Sequence, residues 1–287
     1  MPLVLTATDC DLWNCAGVDD GIEPAAALDA FSQLISITGT RSERGFHALP
    51  FAIQRTLAPL LPLLLEAPQR LKQRDESWLA DFCRQVSTAM HTTRQVLLPN
   101  IDRLVNEDEF FDVYRICIRG FDGITFDGLA KDDQHRPIEN GEEGPEDWRA
   151  SKIVRLNGPS AGQTAIIMLI DEVLGVSHGE QTEEFRQKMR DFMPAKHAAF
   201  IRHVFHEVMI SGSVKDAATK AGRSSVLGHA FTEAMDSLAA VRAFHLRMAT
   251  SYLRRALKGT GDSDFRSMLD EGLRSTRKSG TLGELKR

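Results

Sequence analysis

The sequence predicts an all-α protein, a helical bundle, on three observations. Apolar residues recur at three- and four-residue steps, capping residues and Gly/Pro stops bracket those stretches, and convincing alternating segments are nearly absent. The chain has 287 residues, 42% hydrophobic and 26% charged, which are ordinary values for a chain that buries a core and exclude a mainly disordered one. At this length a single domain over 1–287 is expected.

The elements follow in order. Ser77 is placed to cap a helix whose apolar face is Trp78, Phe82, Val86, Met90 and Leu97 and which ends near Pro99. Val113 to Arg119 can alternate as a strand, whereas Phe110, Tyr114 and Phe121 also fit a helical stripe. Glycines, Pro137, Pro145, Pro159 and many acids make 121–159 the longest irregular segment, either a solvated insertion or a lid over a site between helices. Ser160-x-x-Gln163 has capping-box spacing before the apolar run Ala165 to Leu174, with Gly175 as its stop. Thr182 can cap a helix running to about Met193, where Pro194 interrupts. Phe200, Val204, Phe205, Val208 and Met209 mark the next, and a long helix is expected from about His229 to Leu257. The basic, polar tail after Arg274 is expected to fray.

Charge and composition narrow the partners. Lys+Arg 35 against Asp+Glu 40 gives a net charge of −5, which offers no sequence-wide attraction to nucleic acid or anionic membranes. The greasiest run, Leu57 to Leu65, contains Pro59 and Pro62 and is far shorter than the roughly 20 residues that span a bilayer. Met1 to Leu12 has no basic region and reaches Asp9 before any long apolar run, so a cytoplasmic protein is expected. Cys10, Cys15, Cys83 and Cys117 form no Cys-x-x-Cys pair and read as reduced thiols.

Chemistry concentrates at a few positions. Phe231, Leu238, His245 and Tyr252 fall at seven-residue steps, so His245 lies within the apolar stripe of the long helix. An imidazole there is either a hydrogen-bonded core group or a metal or haem ligand. Arg242, one turn earlier, is either a surface ion-pair partner or a cation at the edge of the pocket that His245 faces, which suits an anionic cofactor. Arg115, one turn beyond Phe111, either snorkels from the core or grips a carboxylate while Phe110 and Phe111 pack against an aromatic body. His203, His206 and Glu207 read as a solvated helix face. No P-loop, dinucleotide turn or nucleophile elbow is present.

Five ordered blocks resemble the indoleamine 2,3-dioxygenases, haem enzymes that insert dioxygen into the indole ring of tryptophan. They are Phe110-Phe111-Asp-Val-Tyr-Arg115 with Gly120; Gly158-Pro-Ser160-Ala161-Gly-Gln163 leading to Asp171; Met189-Arg190-Asp-Phe-Met193-Pro194 with His197; Arg242-Ala-Phe244-His245-Leu246; and Lys258-Gly259-Thr260-Gly261. The resemblance spans roughly Phe46 to Arg277, with looser similarity around Asp9-Cys10.

The resemblance implies haem b held by His245 as the proximal iron ligand, with Arg242, supported by Asp171, facing a propionate. Arg115 would hold the substrate carboxylate, and Phe46, Phe110 and Phe111 would line the distal pocket. Ser160 and Ala161 would pass near the haem edge, and Thr260 would sit in a glycine-rich loop, 258–263, that closes over substrate. The implied partners are O2 and tryptophan or a related indole, and the implied product is of N-formylkynurenine type. A monooxygenase on a substituted indole and a non-catalytic haem sensor are the alternatives. The chain departs from the longer members in lacking most of a smaller amino-terminal helical domain. Pro50 stands where mammalian-type enzymes have a serine. His47 stands where they have a second phenylalanine, and either contacts substrate on the distal side or is structural.

Overall fold

The computed structural model describes residues 6–16, 21–125, 153–156, 158–256 and 264–282. The longer helices are α1 (Pro24–Ala30), α2 (Arg41–Leu57), α3 (Leu60–Gln73), α4 (Glu76–Thr92), α5 (Ala165–Leu174), α6 (Glu180–Arg190), α7 (Ala195–Ser211), α8 (Val214–Ala221), α9 (Val226–Tyr252) and α10 (Phe265–Gly280). Between α4 and α5 the chain passes through short helical turns, including π-helical turns at Thr93–Leu97 and Phe110–Tyr114 and an α-helical turn at Arg115–Ile118. A further π-helical turn covers Thr8–Trp13. The all-α expectation holds, with two small antiparallel ribbons added. Strand β1 (Cys15–Ala16) pairs with β2 (Ser32–Gln33), and β3 (Phe121–Thr125) pairs with β4 (Ile153–Leu156).

Long helix α9 is the axis, packed most extensively against α4 and α10. Its stripe Leu227, Phe231, Ala234, Met235 and Leu238 meets the Leu79, Phe82, Cys83, Val86 and Met90 face of α4, all buried. Each such large side chain contributes about 1.5–3 kcal/mol by leaving water. A second apolar cluster joins α1 and α2 to Leu97, Ile101, Leu104, Phe110, Tyr114 and Tyr252. Ile53 and Val241 pack against both clusters, so the part of α9 that follows Val241 begins where the two meet. Among the described residues no single helix is long and apolar enough to cross a membrane, and the four cysteines are unpaired.

Several boundaries differ from expectation for identifiable reasons. Asp75, not Ser77, caps α4, its carboxylate accepting from the Trp78 amide at 3.1 Å. Ser160 and Gln163 form no capping box. Ser160 precedes and Gln163 ends a 3₁₀ turn before α5, whose N-cap is Thr164, and the Gln163 side chain is spent accepting from the Ala7 amide at 2.7 Å and donating to the Gly158 carbonyl at 3.1 Å. Thr182 lies inside α6, with Gly179 at the cap, because its hydroxyl donates to Glu271 instead. Residues 113–118 are helical rather than extended. Gly175 does end α5, at φ 84°. Helix α9 starts earlier than His229, capped by Ser225, and ends at Tyr252. The stretch after Arg274 is not frayed as far as it is described: it completes α10, and Thr276 and Ser279 are buried, while 283–287 lie outside the described residues. The 121–159 segment opens and closes in paired strands, and 126–152 lie outside the described residues.

Candidate functional site

On one side of the α9 axis, Asp171 of α5 is almost completely buried and gathers three donors. Arg242 of α9 donates from one terminal nitrogen to both carboxylate oxygens at 2.7 Å, Arg186 of α6 donates at 2.8 Å, and the His178 ring lies at 3.0 Å. Burial alone would raise this carboxyl. The charge of Arg242, then His178 and Arg186, instead holds it well below the usual carboxylate range. Thr276 of α10 accepts from the other terminal nitrogen of Arg242 and its hydroxyl donates to the Gly272 carbonyl at 2.8 Å. Both ends of the Arg242 fork are therefore fixed, with the side chain 15% exposed.

One turn further along α9, His245 makes no hydrogen bond among the described residues. Burial, and then the charge of Arg242, push its imidazole below the ordinary histidine value, so it is neutral at pH 7 with a lone pair to give. Phe244 and Met248 pack on the second apolar cluster beside it. A neutral imidazole in apolar surroundings, one turn from an anchored guanidinium, is a donor set that fits an iron porphyrin carrying carboxylates.

On the other side, α2 and the Phe110–Tyr114 turn bring aromatic rings together. Phe46 stacks on Phe110 with centroids 4.9 Å apart, and Phe110 meets Tyr252 at 6.2 Å. Phe111 stands apart from this pair and carries two guanidiniums over its ring, Arg115 at 5.3 Å and Arg255 at 4.2 Å. Arg255 is tied to Asp112 at 3.0 Å and Asp108 at 3.4 Å. Arg115 is half-buried, and burial followed by the Arg119 charge lowers its pKa.

His47 occupies the inner face of α2, 2% exposed. One ring nitrogen lies 2.7 Å from the Asp11 carboxylate and the other hydrogen-bonds the Tyr114 hydroxyl. Both are committed to protein groups. Pro50 lies within α2 without ending it. Ser160 accepts from the Gly162 amide at 3.2 Å, and Ala161 opens the 3₁₀ turn. That turn is held close: a Cβ on Gly158 would lie 1.8 Å from the Ile118 carbonyl oxygen and one on Gly162 2.7 Å from the Phe185 ring, so neither position admits a side chain as it stands. Thr260 and the glycine-rich loop at 258–263 lie outside the described residues. His203 and His206 are exposed, and Glu207 pairs with Lys72 at 2.7 Å.

Sequence reading missed Asp11, Tyr114, His178, Arg186, Gln163, Thr276 and Arg255 as members of these networks. Only Tyr114 and Arg186 carried a local signal, as a polar residue on an apolar stripe and a cation one turn from an acid; the rest pair across 34 or more residues or, like His178, from a loop.

These features define the class: an all-α protein whose longest helix carries an anchored arginine and, one turn on, a histidine without a hydrogen bond, with an aromatic cluster built by α2 and the Phe110–Tyr114 turn. The sequence profile of the indoleamine 2,3-dioxygenase family matches residues 1–280, and the chain belongs to that family. It is similar to indoleamine 2,3-dioxygenase 2 of Mus musculus, 24% identical over 88% of this chain and 57% of that protein. Two fungal relatives are the 6-hydroxytryptophan 2,3-dioxygenase of Fusarium equiseti, 26% identical over 93% of this chain and 62% of that protein, and an indoleamine 2,3-dioxygenase of Penicillium citrinum, 27% identical over 96% and 63%. The chain thus spans about three-fifths of the length of these relatives.

Proposed function

We propose that the protein is a haem-dependent dioxygenase that adds O2 across the indole 2,3 double bond of tryptophan or a related indole, giving an N-formylkynurenine-type product. The observation that carries the reading is the pairing of an unbonded, neutral His245 with an Asp171-anchored Arg242 one turn away. His245 would supply the nitrogen ligand to haem b, and Arg242 the cation opposite a propionate. Haem, when bound, supplies the iron at which dioxygen is activated.

The remaining work falls to the chain. Arg115 would take the substrate carboxylate in its fork, with the Phe111 ring beneath it holding the guanidinium in plane. Phe46 and Phe110 would pack on the indole and keep water from it. The 158–163 turn, pinned by Gln163, would border the cofactor edge at Ser160 and Ala161, and Thr260 would close over substrate. A 6-hydroxytryptophan enzyme among the relatives supports a substrate range that includes ring-substituted tryptophans.

Reduced protein reconstituted with haem and mixed with tryptophan and air is expected to develop a formylkynurenine absorbance, with two oxygen atoms in the product by mass spectrometry. Addition of one atom would establish the monooxygenase reading, and no product from tryptophan or simple indoles would overturn the dioxygenase one. His245→Ala should abolish the Soret band or most haem retention. Arg115→Ala should weaken substrate binding by about 2 kcal/mol and leave haem binding intact; indifference to this change would point to a haem carrier.

A further inference from the structure

Two of the π-helical turns, Thr8–Trp13 and Phe110–Tyr114, are joined through α2 by one line of polar side chains. Asp11 of the first lies 2.7 Å from one ring nitrogen of His47, and the other nitrogen bonds the hydroxyl of Tyr114 in the second. All three residues are 5% exposed or less. The line ends one residue before Arg115, whose amide closes the second turn by donating to the Phe110 carbonyl, five residues back.

Taking a carboxylate, an imidazole and a phenol out of water is costly, and burial raises the Asp11 carboxyl above its ordinary value against the pull of His47. Apolar side chains of similar volume often fill such a site as stably. What hydrogen bonds add is direction. The arrangement that satisfies every group is an Asp11 carboxylate accepting Nδ1–H of a neutral His47, whose Nε2 accepts the Tyr114 O–H. With a proton on Nε2 instead, the Tyr114 hydroxyl would be buried without an acceptor. Each link therefore fixes the orientation of the next.

The orientation of Tyr114 matters because of the turn it belongs to. A π-helical turn holds one residue more than the α-helical ladder, and relaxing it would rotate the residues that follow by about 100°, one residue's share of a 3.6-residue turn. The far end of this stretch is fixed, since Ile118 is buried and its carbonyl lies against Gly158. The near end is fixed by Tyr114, which also meets Phe46 at 5.8 Å and Phe110 at 6.3 Å. Arg115 stands between the two anchors, its guanidinium over the Phe111 ring. We infer that Asp11, His47 and Tyr114 are positioning residues: they hold the Phe110–Tyr114 turn in its π form and so aim Arg115 at the substrate carboxylate. The inference rests on the reading of Arg115 as that carboxylate's partner.

The test compares the binding of L-tryptophan and of tryptamine, which lacks the carboxylate, to the haem-reconstituted protein by calorimetry. Tyr114→Phe removes the hydroxyl and keeps the ring. It should weaken tryptophan about tenfold, the equivalent of one buried hydrogen bond, and leave tryptamine unchanged. Adding it to Arg115→Ala should weaken tryptophan no further, because the side chain being aimed is gone. In the protein as purified, hydrogen exchange at the Arg115 amide should quicken about tenfold in Tyr114→Phe, with the α9 amides unchanged. Equal weakening of both ligands, or an Arg115 amide that exchanges as in wild type, would overturn the positioning role. So would preference for tryptophan that is lost in Arg115→Ala but kept in Tyr114→Phe. Preference unmoved by Arg115→Ala would instead remove the carboxylate reading and this inference with it. Asp11→Asn still offers an oxygen to the His47 N–H and should keep the preference, whereas Asp11→Leu should lose it; equal outcomes from these two would overturn the argument from direction even if Tyr114→Phe fails to fold.

Discussion

On the Arg242 side of the site three donors converge on one carboxylate, whereas on the His47 side three polar groups stand in a line, with His47 bonded to one neighbour through each ring nitrogen. Both regions are largely buried but fail differently. A guanidinium cannot shed its proton, so loss of Asp171 leaves Arg242 without its carboxylate and the buried Arg186 with Glu183, at 3.4 Å, as its remaining one. Asp11 can take up a proton when its partner goes, and the line relaxes toward neutrality. The convergent arrangement holds a charge in place; the linear one lets protons shift.

The sharpest way to break this contrast is Asp171→Asn, expected to cost about 3–5 kcal/mol in chemical unfolding at pH 7. Its pH dependence follows from the sign of the shift. The folded carboxyl lies below its unfolded value of about 3.9, so its contribution is complete above that value and lost as pH falls through the folded one. The stability gap between wild type and Asp171→Asn should therefore narrow in acid, and a gap that stays constant below pH ~4 would contradict the hub. His47→Leu should cost less, about 2–3 kcal/mol, measured the same way. A cost matching that of Asp171→Asn would erase the distinction. Thr276→Ala should be mildest, about 1 kcal/mol, because Asp171 alone still holds Arg242.

Much of the Arg242 side was legible. The α9 stripe placed His245 and Arg242 on neighbouring turns, and the resemblance supplied Asp171, 71 residues away. The His47 side was not, because Asp11 and Tyr114 lie 36 and 67 residues from the histidine and no periodicity relates them. Capping at α4 was misplaced by two residues because Asp75 and Ser77 are both competent caps, and only the amide that is actually bonded separates them. Helix α10 read as tail for a different reason. Its buried face beyond Leu273 is Thr276 and Ser279, small polar residues that leave no apolar stripe, and Thr276 is satisfied by Arg242.

The paired strands Phe121–Thr125 and Ile153–Leu156 stand on a foot where Gly158 touches the Ile118 carbonyl. Loop entropy changes slowly with the number of residues enclosed, so insertions or deletions between those strands leave positions 158–163 fixed from below. Any side chain at 158 would pry the turn from its anchor.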